Sequence, residues 1–360
     1  YPGIEIRLDN QSYMDIRERI TGGTSPAEDS RRKGKLASDI IGLDQHWLGS
    51  LIQNDALEPL DRYLGETEFS LPIAPDGTAQ NRALPLVSFM TALFYNIDIL
   101  RQAGFNRPPK TRSEFIAYAK ALTAPSEDRF GFTLSLSPQN PEGIYRDVFS
   151  WVWASGEVLT REGKLDFTAP PFIETLDFFR TLYRNGHLSP GIFSKTEDDK
   201  RREFFAGRIG MMTGSIADIN IIREQNPRAA FGITTIPGPD SYIGSPPLSV
   251  TSWYAGISRR SEHKDEAWAF LSFLVEQGPL LTAKAHGIPV SGGGVNYTEQ
   301  DPLYSKAADI YEAGEVVREF LEIPALDILE IILRDELQAM FEQDRSPEDT
   351  ALAIQRRWGE

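Results

Sequence analysis

LPLVSFMTALFYNIDILRQAGFNRPPKT, residues 84–111, decides how the rest of this chain is read. Residues 84–96 form one long extended run, rich in Leu, Val, Phe and Tyr. Residues 97–103 then take a helical spacing that Pro108 and Pro109 stop, because proline has no amide to donate and its ring clashes with the preceding turn. Thr111 and Glu114 stand at capping-box spacing, so a second helix begins there. A long strand that feeds a helix, followed at once by another helix, is the beat of an α/β chain.

The same alternation extends in both directions. Upstream, residues 4–8 and 38–43 (SDIIGL) read as strands, and the polar, Gly-rich residues 21–35 between them read as a loop. Downstream, 130–136 reads as a strand, 143–154 as a helix and 157–167 as a hairpin turning at Arg161-Glu162-Gly163. Thr168 is placed to cap a helix whose Phe172, Ile173, Leu176, Phe179, Leu182 and Tyr183 repeat every 3.6 residues, and Gly186 to end it. FFAGRIGMMTGS (204–215) holds a short strand at 209–213, with another at 231–235 after a helix. WYAGISRRSEHKDEAWAFLSFL (253–274) joins a strand at 249–257 to a helix at 262–277. Ser346-Pro347-Glu348-Asp349 opens a terminal helix. This pattern predicts α/β architecture with largely parallel sheets.

Composition narrows the function classes. The chain has 360 residues, enough for two ordinary domains, and 41% hydrophobic content supports well-filled cores. Fifty-two acidic against 37 basic side chains give a net charge of −15, which opposes binding to nucleic acid or an anionic membrane surface. There is no Cys, hence no disulfide framework, no thiolate metal site and no thiol nucleophile. The four His are scattered at 46, 187, 263 and 286, without metal-ligand spacing. Neither a GxSxG elbow nor a GxxxxGK[ST] loop occurs. No metal and no cofactor is expected. A glycosidase built on two carboxylates distant in sequence stays open as an alternative, as does a ligand sensor for a membrane receptor.

Residues 84–111, 204–215 and 253–274, in this order and spacing, resemble the extracellular solute-binding proteins of sugar-type ABC importers, the group that includes maltose-binding protein. The resemblance implies a periplasmic-binding-protein type II fold: two discontinuous α/β lobes with a hinge and an interlobe cleft. It places 1–96 plus about 256–300 in the N-terminal lobe and 97–255 plus about 301–360 in the C-terminal lobe. A strand and a helix of the family pattern, about thirty residues, are expected ahead of Tyr1. The implied function is capture of a carbohydrate or related polyol by hinge closure and delivery to membrane permease subunits. It implies no enzymatic activity. The implied setting is periplasmic or extracellular, with a lipoprotein anchor open and no signal segment in this sequence. A monomer is expected unless the missing N-terminal segment promotes association.

A sugar site needs aromatic faces and planar polar groups, and the candidates follow from that requirement. Asp44, Gln45 and His46 follow a strand end, where ligands gather in open α/β sheets, although Asp44 could equally cap the helix that starts there. Ser88 and Phe89 line the cleft by resemblance, with a core role for Phe89 open. Trp151 and Trp153 point to different faces, and resemblance selects Trp151 for ligand. Thr213, Gly214 and Ser215 match the family's strand-to-helix turn, but Ile216 stands where relatives carry Trp. Trp253 and Tyr254 replace small residues of the family pattern, either as a stacking wall or as buried strand aromatics. After Gly287-Ile288-Pro289-Val290, Ser291 replaces a common basic residue.

Overall fold

The computed structural model describes residues 3–10, 38–64, 81–139, 142–288, 301–320, 323 and 326–359. The expected loop at 21–35 and Ser291 lie outside them. The chain divides into two units: Tyr1–Ser88, Thr251–Val295 and Phe320–Leu326 form the first, and Phe89–Val250, Asn296–Glu319 and Asp327–Glu360 the second. The described strands are β1 (Ile40–Asp44), β2 (Leu84–Asn96), β3 (Thr160–Arg161), β4 (Lys164–Leu165), β5 (Met211–Ser215), β6 (Phe231–Thr234), β7 (Pro247–Ile257) and β8 (Glu315–Val317).

In the first unit β1 pairs antiparallel with the end of β7, Ile40 opposite Ile257 and Asp44 opposite Trp253. Leu43, Leu48, Leu51 and Leu57 pack with Trp47 into one buried cluster, and Leu60, Leu84, Ala255, Ile257 and Leu271 into another. Residues 4–8 form no strand: Ile6 is 46% and Leu8 82% exposed. Apolar alternation makes a strand only where a neighbour supplies a ladder and a buried face, and this segment has neither among the described residues.

In the second unit β2 pairs antiparallel with both β5 and β6, while β8 runs parallel to β7. The expectation of largely parallel sheets is therefore corrected: the ladders are mostly antiparallel. Besides the β7–β8 ladder, parallel contacts occur as single bridges, among them Phe130 to Ile209 and, from the extended segment FTLSLS at residues 132–137, Phe132 to Leu188. Both faces of that segment are buried. Phe132, Leu134 and Leu136 fill the apolar side, and Thr133, Ser135 and Ser137 turn to the other. There the Ser135 hydroxyl meets the carboxylates of Asp147 and Glu197, and ladder pairing shortens to isolated bridges.

Those ionised groups come from the helices Glu142–Trp153 and Glu197–Phe205. The Lys200 ammonium lies 2.7 Å from Asp147 and 2.9 Å from Glu197, with the Lys200 and Asp147 side chains wholly inaccessible. Asp147 also accepts from the Ser135 amide at 2.7 Å and its hydroxyl at 3.0 Å, and Arg146 donates to Glu197 at 2.7 Å. Two acids and two cations balance, which is the condition for burying charge at all. Most acidic residues of a helix are expected on its solvated face; Asp147 and Glu197 depart from that because their partners are buried with them.

Helix ends follow local chemistry. Thr111 caps Arg112–Leu122 by accepting from the Glu114 amide at 3.3 Å, while the Glu114 carboxylate turns to Arg107 and the Lys110 amide. Thr168 does not cap Pro170–Arg184. Ala169 holds that position, Pro170 starts the helix with its preset φ, and the Thr168 hydroxyl donates to Asp166. Gly186, at φ +68°, follows that helix in the left-handed conformation its missing side chain allows.

Candidate functional site

The first unit brings together six of the candidates. β1 ends at Asp44 and the helix Gln45–Gln53 begins immediately, so the carboxyl end of a strand and the amino end of a helix coincide. Asp44 is 2% exposed and accepts from the His46 amide at 2.8 Å. That makes Asp44 the helix cap, a carboxylate satisfying an otherwise unpaired amide. The same oxygen lies 2.9 Å from His46 Nδ1. Of the two readings left open for Asp44, the cap is the one its geometry expresses.

Gln45 is half-buried, and its Oε1 accepts from the Ser252 amide at 2.9 Å. Fixing the oxygen holds the carboxamide in place against β7. The Ser88 and Ser252 hydroxyls share a buried hydrogen bond of 2.7 Å, and the Ser88 carbonyl accepts from the Ile288 amide at 2.7 Å. Ser88 is thus spoken for by protein groups. Trp253 and Tyr254 are both half-buried. Trp253 meets the edge of Trp47 at 6.5 Å and 80°, and Tyr254 packs on the Leu43 and Trp47 cluster. Successive residues of a strand face opposite ways, so one aromatic lies on each side of β7. Ser252 was not among the candidates; its signal was its place just before the two aromatics.

The remaining candidates lie in the second unit. Trp151 is fully buried, ringed by Phe115 and Phe178 at 4.8 Å, Phe132 at 5.7 Å and Phe179 at 6.2 Å. Its Nε1 donates to the Thr213 hydroxyl at 3.3 Å, and Thr213 is also inaccessible. Both side chains are packed into the second unit, and the indole, ringed by aromatics, leaves no face exposed. Trp153 also avoids solvent, donating to Glu319 at 2.6 Å.

Gly214 and Ser215 close β5 opposite Ala92 and Thr91. A Cβ at Gly214 would come within 2.9 Å of Asp218 and 3.0 Å of the Phe94 ring, so a larger residue there would have to displace these neighbours. Asp218 accepts from the Ser215 amide at 2.8 Å and from Arg201 at 2.8 Å, holding the turn into the helix Asp218–Gln225. The Ser-x-x-Asp spacing was the available signal for this residue. Phe89 is half-buried at the start of the second unit's part of β2. No group of His, Asp or Glu among the described residues is arranged to hold a metal.

The arrangement pairs fixed planar polar groups with half-buried aromatics at one end of the β1–β7 pair. It suits hydroxyl-bearing ligands better than acid–base chemistry. A model of the family described as bacterial extracellular solute-binding protein matches residues 1–278. A Brucella abortus protein described only as a binding protein is 27% identical over 287 residues, 77% of this chain and 66% of its own length. The chain thus spans just under two thirds of that relative. Among solved structures, the sugar-binding protein MalE of Xanthomonas citri superposes with a TM-score of 0.78 at 18% identity, covering 99% of this chain and 89% of its own. A solute-binding protein of Agrobacterium radiobacter in complex with ribitol gives 0.74 at 19% identity, covering 96% and 88%. These likenesses show the two-lobed α/β fold.

Proposed function

This chain belongs to the bacterial extracellular solute-binding protein family, and from that premise we propose that it is the substrate-binding component of an ABC importer. It captures a carbohydrate or polyol by hinge closure and delivers it to membrane permease subunits, without catalysing a reaction on it. The work is done outside the cytoplasmic membrane, by a monomer, with a lipid anchor as one means of retention. The two units correspond to the two lobes in this reading. Their changeovers then fall within strands, at Ser88–Phe89 and Val250–Thr251, several residues ahead of Asn96 and Ala255–Ser258.

The observation that supports it most is the oriented Gln45 carboxamide beside half-buried His46, Trp253 and Tyr254. A carboxamide held by the backbone suits a hydroxyl group, and an aromatic face suits the apolar side of a sugar ring. A ligand that binds only the closed form shifts the population toward it. Thermal-shift screening against mono-, di- and trisaccharides, sugar alcohols and polyamines tests this. One sugar class at 100 times its Kd should stabilise the protein by about 2.7 kcal/mol, and scattering should show compaction. Gln45→Ala should weaken that ligand by about tenfold, the worth of one well-placed hydrogen bond. Stabilisation by polyamines alone, or turnover of a glycoside, would overturn the proposal.

A further inference from the structure

We propose that the Ser88–Ser252 hydroxyl pair is a pin that fixes the mutual register of β2 and β7 where both strands leave the first unit, and that Gln45 couples the ligand-contacting turn to it. Ser88 is the last residue of the first unit on β2, and Ser252 the second on β7, after Thr251. β2 and β7 are neighbours in the sheet, and the two hydroxyls meet at 2.7 Å with 6% and 9% residue exposure. Each serine is held a second time through its backbone. The Ser88 carbonyl accepts from Ile288, and the Ser252 amide donates to Gln45.

The energetics favour a register role over a stabilising one. A buried hydroxyl pair adds only about 1 kcal/mol net, and replacing both partners by apolar groups is close to neutral. What such a pair supplies is direction: an off-register pairing would leave two buried hydroxyls unmatched, at about 1–3 kcal/mol each. Here the changeovers fall within the strands, next to Ser88 and Ser252, so bending there must be absorbed by strand backbone. At this changeover the pin leaves the strands free to bend beyond Ser88 and Ser252 and stops them sliding. Because Gln45 Oε1 accepts from the Ser252 amide, a shift of the turn that carries Gln45 acts on β7 through the carboxamide. Ser88 and Ser252 are positioning residues in this account.

The inference rests on the hinge reading above, and its test needs no ligand. Spin labels at exposed Arg260 of the first unit and Lys164 of the second would report the distance distribution by pulsed dipolar spectroscopy. In the Ser88→Ala, Ser252→Ala double variant the distribution should become about twofold wider, with the melting temperature nearly unchanged. Ser88→Thr, which keeps the hydroxyl, should restore the narrow distribution. An unchanged width in the double variant overturns the pin and leaves the transport proposal standing; failure of the sugar screen leaves the distance result intact. Should the double variant not fold, Ser252→Ala set against Ser88→Thr makes the same comparison, with equal widths again overturning the pin.

Discussion

Lys200→Met should lower the stability of the second unit by about 3–5 kcal/mol in urea unfolding, the cost of leaving buried acids without their cation. Asp147 would lose the Lys200 ammonium, and Glu197 would keep Arg146 and the Ser135 hydroxyl. Met matches the length of the stem, so the loss reports charge rather than volume. Adding Asp147→Asn in the same chain removes one orphaned charge and should recover part of the loss. A loss below about 1 kcal/mol would mean that the acids are already neutral without Lys200.

The pair also sets a pH dependence with opposing signs. Burial pushes the Asp147 carboxyl up to about 6, with Lys200 opposing and Glu197 adding to the rise. Burial pushes Glu197 up as well, but Lys200 and Arg146 outweigh it and bring the group down to about 2. A carboxyl whose folded pKa is raised binds its proton more tightly when folded, so the Asp147 contribution falls as pH rises from about 4 to about 6. The Glu197 contribution is present above its ordinary value and is lost as pH falls from about 4.5 toward 2. Asp147→Asn should flatten the pH 4–6 part of the stability profile and leave the acid limb. A profile unchanged in that window would mean that the Asp147 pKa is not raised.

This cluster shows where one-dimensional reading stops. FTLSLS alternates with period two and was readable as a strand, but hydroxyls on the second face ordinarily signal solvent. Nothing local announces that Asp147 and Glu197, fifty residues apart in sequence, share one ammonium. The same limit explains the sheet: strand existence follows from local pattern, whereas the antiparallel pairing of β2 with β5 and β6 depends on partners more than a hundred residues away. Local chemistry fared better. The hairpin turn sits at Glu162 and Gly163, both at positive φ, and the Ser346 hydroxyl caps the last helix by accepting from the Asp349 amide. At the candidate site, residue types pointed to Asp44, Gln45 and His46 together, but only geometry separates the capping carboxylate from the oriented carboxamide.

Trp151→Ala should cost the second unit about 3–5 kcal/mol, the range for deleting a large buried aromatic. The indole has four aromatic neighbours and one hydrogen bond to Thr213, and the helix carbonyl at its own position accepts from Arg112. The cavity cannot close cheaply, because Phe115, Phe132 and the Phe178–Phe179 pair are held by three separate segments and close-packed interiors relax only in part. Trp151→Phe should keep most of the packing and lose about 1 kcal/mol with the hydrogen bond. The comparison also decides between the two roles considered for this residue. A core Trp151 predicts a large fall in melting temperature, with affinity for a screened sugar unchanged in the molecules that remain folded. A stacking Trp151 predicts the reverse, lost affinity at nearly constant stability. With no face of the ring accessible, the first outcome is expected, and affinity measured well below the melting temperature of the Trp151→Ala protein would distinguish them.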